Sequence, residues 1–381
     1  MSTLKALLKD VPVEWKALID LATLGTGSHD TKDAVDNGNY VFYARGIKPL
    51  RLNTYDFDET AIITAGDGVG VGKVFHWVEG KYALHQRAYR IVPNKLTLPR
   101  FIYHYFVSNF YDYISKQSVF SSVSSLRKPM FEKFQIPIPY PNDPEKSLAV
   151  QQEIVRVLDG LSEQNKALTT ALAQEIDQRK KQYAYYREEL FRFEGKEVEW
   201  KTLGEVLNRT KGTKITAGQM KELDKVGGNI KIFAGGKTVA FFNKEDLPAK
   251  DINTLPSIIV KSRGIIEFEY YDKPFSHKNE MWSYNTANNL IKIKYVYHFL
   301  KIKEPYFQNL GSRMQMPQIS IPDTDKFKIP IIPVQEQERI VRLLDRFDEA
   351  TKNIVAQLER EIELRNKQYE YYRNELLGFN G

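Results

Sequence analysis

The sequence predicts an α+β chain: two mixed α/β domains separated by two long antiparallel helices that form a coiled coil, arranged as a pseudo-twofold internal repeat. Three observations carry that prediction. Residues 151–193 and 337–379 align at an offset of 186 positions with 21 identities in 43. Each copy keeps apolar residues at spacings of three and four over about six heptads. Before the first copy and between the two, the pattern changes to short apolar runs broken by turn residues, the signature of strands.

The first helical stripe runs through Ile154, Leu158, Leu161, Leu168, Leu172, Ile176, Tyr183, Tyr186 and Leu190. The second runs through Ile340, Leu344, Phe347, Ile354, Leu358, Ile362, Tyr369, Tyr372 and Leu376. Neither copy contains proline, and Gly160 and Gly378 are their only glycines. At 1.5 Å per residue each helix is about 65 Å long, far beyond an ordinary globular helix, so each needs a partner. The other copy is the simplest one. Residues 194–336 leave the end of the first helix and return to the start of the second, so a compact segment there makes the helices antiparallel. Asn165 and Thr351 fall on the seam, where polar residues fix alignment at some cost in stability.

The chain divides into residues 1–147, a first mixed domain; 148–194, the first helix; 195–332, a second mixed domain; and 333–381, the second helix. Each mixed domain opens alike, with Val13-Glu14-Trp15-Lys16 and Val198-Glu199-Trp200-Lys201, read as a strand or short helix with a buried Trp. In the first domain, strands are expected at Tyr40–Tyr43, Ala61–Thr64, Lys73–Val78 and Ala88–Val92, followed by an aromatic helix from Pro99 to Tyr113. The second echoes it with strands at Ile230–Phe233, Ser257–Val260, Ile265–Tyr271 and Asn289–Ile293, then a helix near Val296–Ile302. Both domains close on Lys-Phe-x-Ile-Pro, at Lys133–Pro137 and Lys326–Pro330, and feed directly into a long helix, with proline marking the boundary.

The chain has no cysteine, which excludes disulfides and thiolate metal sites and fits a reducing compartment. Its apolar runs are too short to cross a bilayer and Met1–Lys9 is no signal peptide, so a cytoplasmic protein with no membrane partner is expected. The formal charge of +7 is unevenly placed: +3 for 1–147, −1 for 148–194, +7 for 195–332 and −2 for 333–381. Two basic domains on a near-neutral spacer suit a polyanion.

Motifs for catalysis fail on spacing. In Gly66–Lys73 a P-loop needs glycine where Asp67 stands and a hydroxyl residue where Val74 follows Lys73. A glycine hairpin fits better, either a plain turn or one that approaches phosphates, and Lys261-Ser262-Arg263-Gly264 occupies the matching place in the second domain. His29, His76, His85, His104, His277 and His298 lack metal-ligand spacing, and Pro322–Lys326 reads as a solvated turn rather than a nuclease fragment. No adenine-methyltransferase motif is present. No cofactor and no metal are expected.

The doubled order of variable segment, Lys-Phe-x-Ile-Pro, helix with Ile-Val-Arg-x-Leu-Asp, and Lys-Gln-Tyr-x-Tyr-Tyr-Arg resembles the DNA specificity subunit of type I restriction-modification systems. The resemblance implies two target recognition domains, each reading one half of a split site in double-stranded DNA. It also implies helices that set the distance between the halves and dock two DNA adenine methyltransferase subunits, with restriction (translocase/nuclease) subunits joining. The chain itself would be non-catalytic. Two rivals are a protein-binding scaffold and an enzyme with unrecognised motifs.

Under that resemblance, base readers are Arg, Lys, Asn and Gln on strands or loops, because these side chains pair with base edges in the major groove. Candidates in the first domain are Arg45, Lys48, Arg51, Lys73, His85, Gln86, Arg87, Arg127 and Lys128. In the second they are Lys211, Lys214, Lys237, Lys261, Arg263, His277, Lys278, Asn279, Arg313, Gln315 and Gln318. For each, a phosphate contact or a solvated charge is the competing role. Arg127 and Arg313 stand out because each lies in a polar loop just before the closing strand. Of the helix-end aromatics, Tyr183, Tyr186, Tyr369 and Tyr372 fit the seam. Tyr185 and Tyr371, with Arg187 and Arg373, are candidate partner-docking anchors, against simple packing on the neighbouring domain.

Overall fold

The computed structural model describes residues 11–117, 125–195, 197–236, 238–312 and 316–379. Four long helices carry the framework: α1 (Pro99–Gln117), α2 (Pro144–Leu190), α3 (Ile293–Gly311) and α4 (Val334–Leu377). The chain forms two compact units, residues 1–172 with 360–381 and residues 173–359. Each unit is a mixed α/β domain with one stretch of α2 and one of α4.

In the first unit a six-stranded sheet holds β2 (Ala22–Thr26), β3 (Tyr40–Tyr43), β4 (Leu50–Leu52), β5 (Phe57–Ala65), β6 (Phe75–Leu84) and β7 (Ala88–Pro93) in the order β2-β7-β5-β6-β3-β4. Only β3 and β6 pair in parallel. β5 ends as a continuous apolar run because both of its faces are covered: Ile62 packs with α1, and Ala61 and Ile63 pack on the opposite side. α1 lays Phe101, Phe106, Phe110 and Ile114, all fully buried, into the core. Apart from this sheet, the opening strand β1 (Val13–Ala17) pairs antiparallel with the closing strand β8 (Gln135–Pro139).

The second unit repeats the plan with one break. The opening strand β9 (Glu199–Thr202) pairs with the closing strand β17 (Lys328–Ile331). β10 (Asn208–Thr210), β13 (Ser257–Lys261), β14 (Glu267–Tyr271) and β16 (Trp282–Asn285) make a sheet ordered β10-β16-β13-β14. β11 (Ile230–Phe233), β12 (Val239–Phe242) and β15 (Phe275–His277) make another, ordered β12-β11-β15. Joined through β14 and β15, these reproduce the first unit's order, so β14 and β15 together are the counterpart of β6. The difference lies in one segment. β6 passes through Gly80 at φ +90°, which glycine alone adopts easily, whereas in the second unit Asp272-Lys273-Pro274 separates the end of β14 from the start of β15, and proline there lacks the N–H that a continuous strand would use.

Both units fasten their domain to the long helices through the same polar side chains. In the first, the Gln151 Oε1 accepts from the Leu98 N–H at 2.9 Å at the start of α1, and Asp159 accepts from Arg100 at 2.9 Å and meets the His104 Nε2 at 2.8 Å. In the second, Gln337 accepts from the Lys292 N–H at 2.9 Å, and Asp345 accepts from Lys294 at 2.8 Å and meets His298 at 3.2 Å. Gln151 and Gln337 are fully buried. Burial pushes the His104 and His298 imidazoles below their ordinary range, against the raising effect of the carboxylates. Burial pushes Asp159 up, but its bonds to Arg100 and His104 outweigh that and hold it below the usual carboxylate range.

The stretches of α2 and α4 run antiparallel in each unit. Asn165 donates to Asn366 at 2.9 Å in the first, and Tyr186 stacks on Phe347 with centroids 5.3 Å apart in the second. The stripe is not a uniform seam: Ile154, Leu158, Ile340 and Leu344 are buried in the domain cores, while Leu168, Phe347 and Ile354 stay exposed. Two further expectations are corrected. Trp15 and Trp200 are 37% and 50% exposed rather than buried, each set edge-on against a ring of α1 or α3, Tyr105 and Phe299. Residues 289–292 form a turn and Ile293 begins α3, so no strand forms there; the strand is Trp282–Asn285, whose polar Ser283 and Asn285 hid it. α3 holds one proline, Pro305, next to Glu304, which accepts from the Phe268 N–H at 2.8 Å.

Candidate nucleic-acid interface

In the first unit the loop from β5 to β6 (residues 66–74), the turn from β6 to β7 (85–87) and the start of the loop from β3 to β4 meet at one corner of the sheet. Backbone bonds close it: the Gly66 N–H donates to the Arg87 carbonyl at 2.9 Å, and the Leu126 N–H donates to Gly66 at 2.7 Å. A Cβ on Gly70 would lie 2.4 Å from the Arg45 carbonyl oxygen, so glycine there lets the loop rest on the β3–β4 connection. At the centre is Asp67, whose Oδ1 accepts from Arg45 Nη1 and Oδ2 from Arg87 Nη1, both at 2.9 Å. Burial pushes its carboxyl up, but the two arginines outweigh this and hold it below the ordinary range. Burial, helped by the field of Arg45, keeps neighbouring His85 below its ordinary value.

Of the other candidates in this unit, Lys73 is exposed with its ammonium 5.2 Å from the Tyr111 ring centroid, and Gln86 donates to Asp30 at 3.2 Å. Lys48, Arg51, Arg127 and Lys128 are exposed, Arg127 standing just before the short helix Lys128–Glu132 and close in sequence to Ser125, which bridges Asp67. The structure thus brings Arg45 and Arg87 together on Asp67, a residue sequence reasoning noticed only as a defect in a P-loop.

The corresponding corner of the second unit has different chemistry. The loop from β13 to β14 (residues 262–266) is closed by Gly264 N–H to Pro317 at 2.8 Å and Ile319 N–H to Ser262 at 3.0 Å, with Arg263 bridging Gln318 where Asp67 bridges Ser125. The carboxylate now comes from the β15–β16 turn: Glu280 pairs with Lys278 at 2.7 Å, and with burial opposing, Lys278 and the field of Arg263 hold it below its usual range. Sign and position are exchanged between the two corners. The Asn279 amide, oriented to satisfy its neighbours, donates to the carbonyls of Gly212 and Thr213. Lys211, Lys214 and Arg263 are exposed, while Gln318 is half-buried.

Lys261 does not present itself to a ligand. It is buried, and Glu267 and Glu269 hold its ammonium at 2.6 and 2.8 Å. Burial pushes its pKa down, but the two carboxylates outweigh this and hold it above the ordinary lysine range. His277 is likewise buried, near Thr210 and Ser283, and burial lowers its pKa. Lys237, Arg313 and Gln315, and the polar loop 121–124, lie outside the described residues.

On the helices, Tyr185 and Tyr371 are 58% and 53% exposed, each edge-on to the following tyrosine. Arg187 and Arg373 are half-buried instead, over the rings of Tyr183 and Tyr369, and the Nε of each lacks a partner. Among the described residues no group of three ligating side chains could hold a metal ion, and no helix is long and apolar enough to cross a membrane.

Sequence reasoning missed Asp67, Glu280 and the residues that fasten each domain to the helices, Gln151, Asp159, Gln337 and Asp345. For the last four a signal existed: they are polar identities within a repeat whose other identities include the apolar stripe.

Residues 11–178 and 195–364 both match the type I restriction modification DNA specificity domain. The chain is 30% identical, over its whole length and 97% of the relative's, to the Escherichia coli type I restriction enzyme EcoR124I/EcoR124II specificity subunit. It is 29% identical to a putative type I restriction enzyme specificity subunit of Haemophilus influenzae, covering 99% of this chain and 98% of that one. Among solved structures, a chain of a type I restriction-modification system aligns with TM-score 0.71 at 15% identity over 97% of this chain and 100% of its own length. The HsdS subunit from Thermoanaerobacter tengcongensis aligns with TM-score 0.51 at 17% identity over 95% and 97%. The family contributes DNA specificity, and catalysis lies in partner subunits. By its two domain matches and its full-length similarity to the Escherichia coli specificity subunit, the chain belongs to the DNA specificity subunits of type I restriction-modification systems.

Proposed function

We propose that the chain reads a split, asymmetric site in double-stranded DNA, one half-site per mixed domain, while α2 and α4 hold two DNA adenine methyltransferase subunits and the restriction subunits that perform the chemistry. The observation that carries this reading is the contrast between framework and corner. The same glutamine and aspartate fasten each domain, yet the corners exchange carboxylate for cation. A repeated frame with unlike tips suits two unlike half-sites. The exposed Tyr185 and Tyr371, in the duplicated sequence, are the proposed anchors, since tyrosine recurs among interface residues that dominate binding.

The test is a methylation map of DNA from cells carrying this chain with its neighbouring methyltransferase, against cells lacking the chain. A split motif present only with the chain is expected; identical maps would refute the reading. Docking is tested separately: Tyr185→Ala with Tyr371→Ala should reduce co-purification of the methyltransferase at least tenfold while leaving the fold, read by circular dichroism, unchanged.

A further inference from the structure

We propose that Asp67 is a positioning residue that presents Arg45 and Arg87 as a fixed pair for guanine edges in the half-site of the first domain. This rests on the DNA-reading role proposed above and deepens it by naming the base class. Asp67 stands where it would cap the turn Gly68–Gly70, yet its side chain makes no cap bond. It turns to the arginines instead, and its side chain is only 18% exposed while those of Arg45 and Arg87 are 40% and 63% exposed. One half-buried carboxylate under two more exposed guanidiniums leaves a net positive charge facing outward, whereas a tie that only closed the corner would need a single arginine.

The geometry of the guanidinium does the rest. Each arginine spends Nη1 on Asp67. Among the described residues neither guanidinium has a further hydrogen-bond partner, so the Nε–Nη2 edge of each remains to donate. Two parallel N–H donors match the O6 and N7 acceptors of guanine, a pattern no other base edge in the major groove offers. Because the donors sit on the two oxygens of one carboxylate, the arginines lie within the span of neighbouring base pairs. Anchoring also removes rotamer freedom before DNA arrives, so less is lost on binding.

The assembled complex with Asp67→Asn, Arg45→Ala, Arg87→Ala and Asp67→Glu is mapped for methylation. The wild-type map should show guanine at one or two adjoining positions in one half-site. Each arginine variant should relax one position, lowering discrimination there on the order of 5- to 150-fold. Asp67→Asn should relax both together, Asp67→Glu should restore part of the discrimination, and the other half-site should stay unchanged. An unchanged motif in Asp67→Asn and Arg87→Ala overturns the inference while leaving the specificity role intact. No split motif in the wild type overturns both. If a variant methylates nothing, binding of the purified complex to duplexes with a native or a scrambled first half-site decides. A smaller preference for the native duplex at an unchanged salt slope supports base reading. Equal weakening on both duplexes, with a slope shallower by about one, makes the arginines phosphate contacts and overturns it.

Discussion

The two units share a frame and differ where it opens to solvent. In the first, one uninterrupted β6 joins six strands into a single sheet; in the second, Asp272-Lys273-Pro274 interrupts the corresponding strand and the same order divides into sheets of four and three. The polar fastening is untouched by this change, because it uses only the duplicated helix residues and the beginnings of α1 and α3. The fastening of each domain and its solvent-facing corner are therefore built from different residues, and each can be perturbed without the other.

Four perturbations sharpen or break that comparison. Leu158→Ala and Leu344→Ala remove fully buried counterparts at the domain–helix junction. Each should cost ~2–5 kcal/mol in denaturant unfolding, while Leu168→Ala, in the exposed part of the stripe, should cost under ~1 kcal/mol. Similar losses in all three would mean the stripe is one uniform seam. Next come the glutamines. Gln337 serves three backbone partners, Lys292, Leu290 and Ile332, whereas Gln151 serves Leu98 and Ser147. Stranded buried groups cost ~1–3 kcal/mol, so both Ala variants should lie in or above that range, with Gln337→Ala the more damaging; the reverse order would contradict the frame as drawn.

Asp159→Ala and Asp345→Ala should each lose about 1–2 kcal/mol, the buried imidazole bond counting in full and the partly exposed Arg100 and Lys294 pairs discounted for screening. Asp159 should matter more, since its contact to histidine is 2.8 Å against 3.2 Å. The smallest effect is that of pH. His104 and His298 titrate below the unfolded value of 6.5, so between the two values the unfolded chain binds more protons. Stability is then fully present above about 6.5 and declines as pH falls through it. From pH 7.5 to 6 the loss should stay under about 0.8 kcal/mol for each histidine. His104→Gln and His298→Gln should flatten that slope equally; an unaltered slope in both would assign it to other groups.

Much of this was legible in the sequence because it is periodic or doubled. The repeat placed both long helices, and the covered strands β5 and β13 announced themselves as apolar runs. Strands with polar inward residues did not: Ser283 and Asn285 are buried and read as loop. The tryptophans misled because a large ring implies burial, while here one edge packs and the rest faces solvent. The corner was least legible. Arg45, Asp67 and Arg87 are far apart in the chain, and only the pairing of β5 with β6 and β7 brings the latter two side by side. Lys261 and Arg263 look alike in sequence, and only the neighbouring Glu267 and Glu269 separate a buried structural charge from an exposed one.

The loop at the first corner spans nine residues, 66–74, and its counterpart five, 262–266. Both ends of each are pinned by a strand pair, so a change of length alters only the entropy of closing the loop. That term grows with the logarithm of length, and going from five to nine costs only about 0.5 kcal/mol. Such a tip can be lengthened, shortened or rewritten at almost no thermodynamic penalty to the fold that holds it.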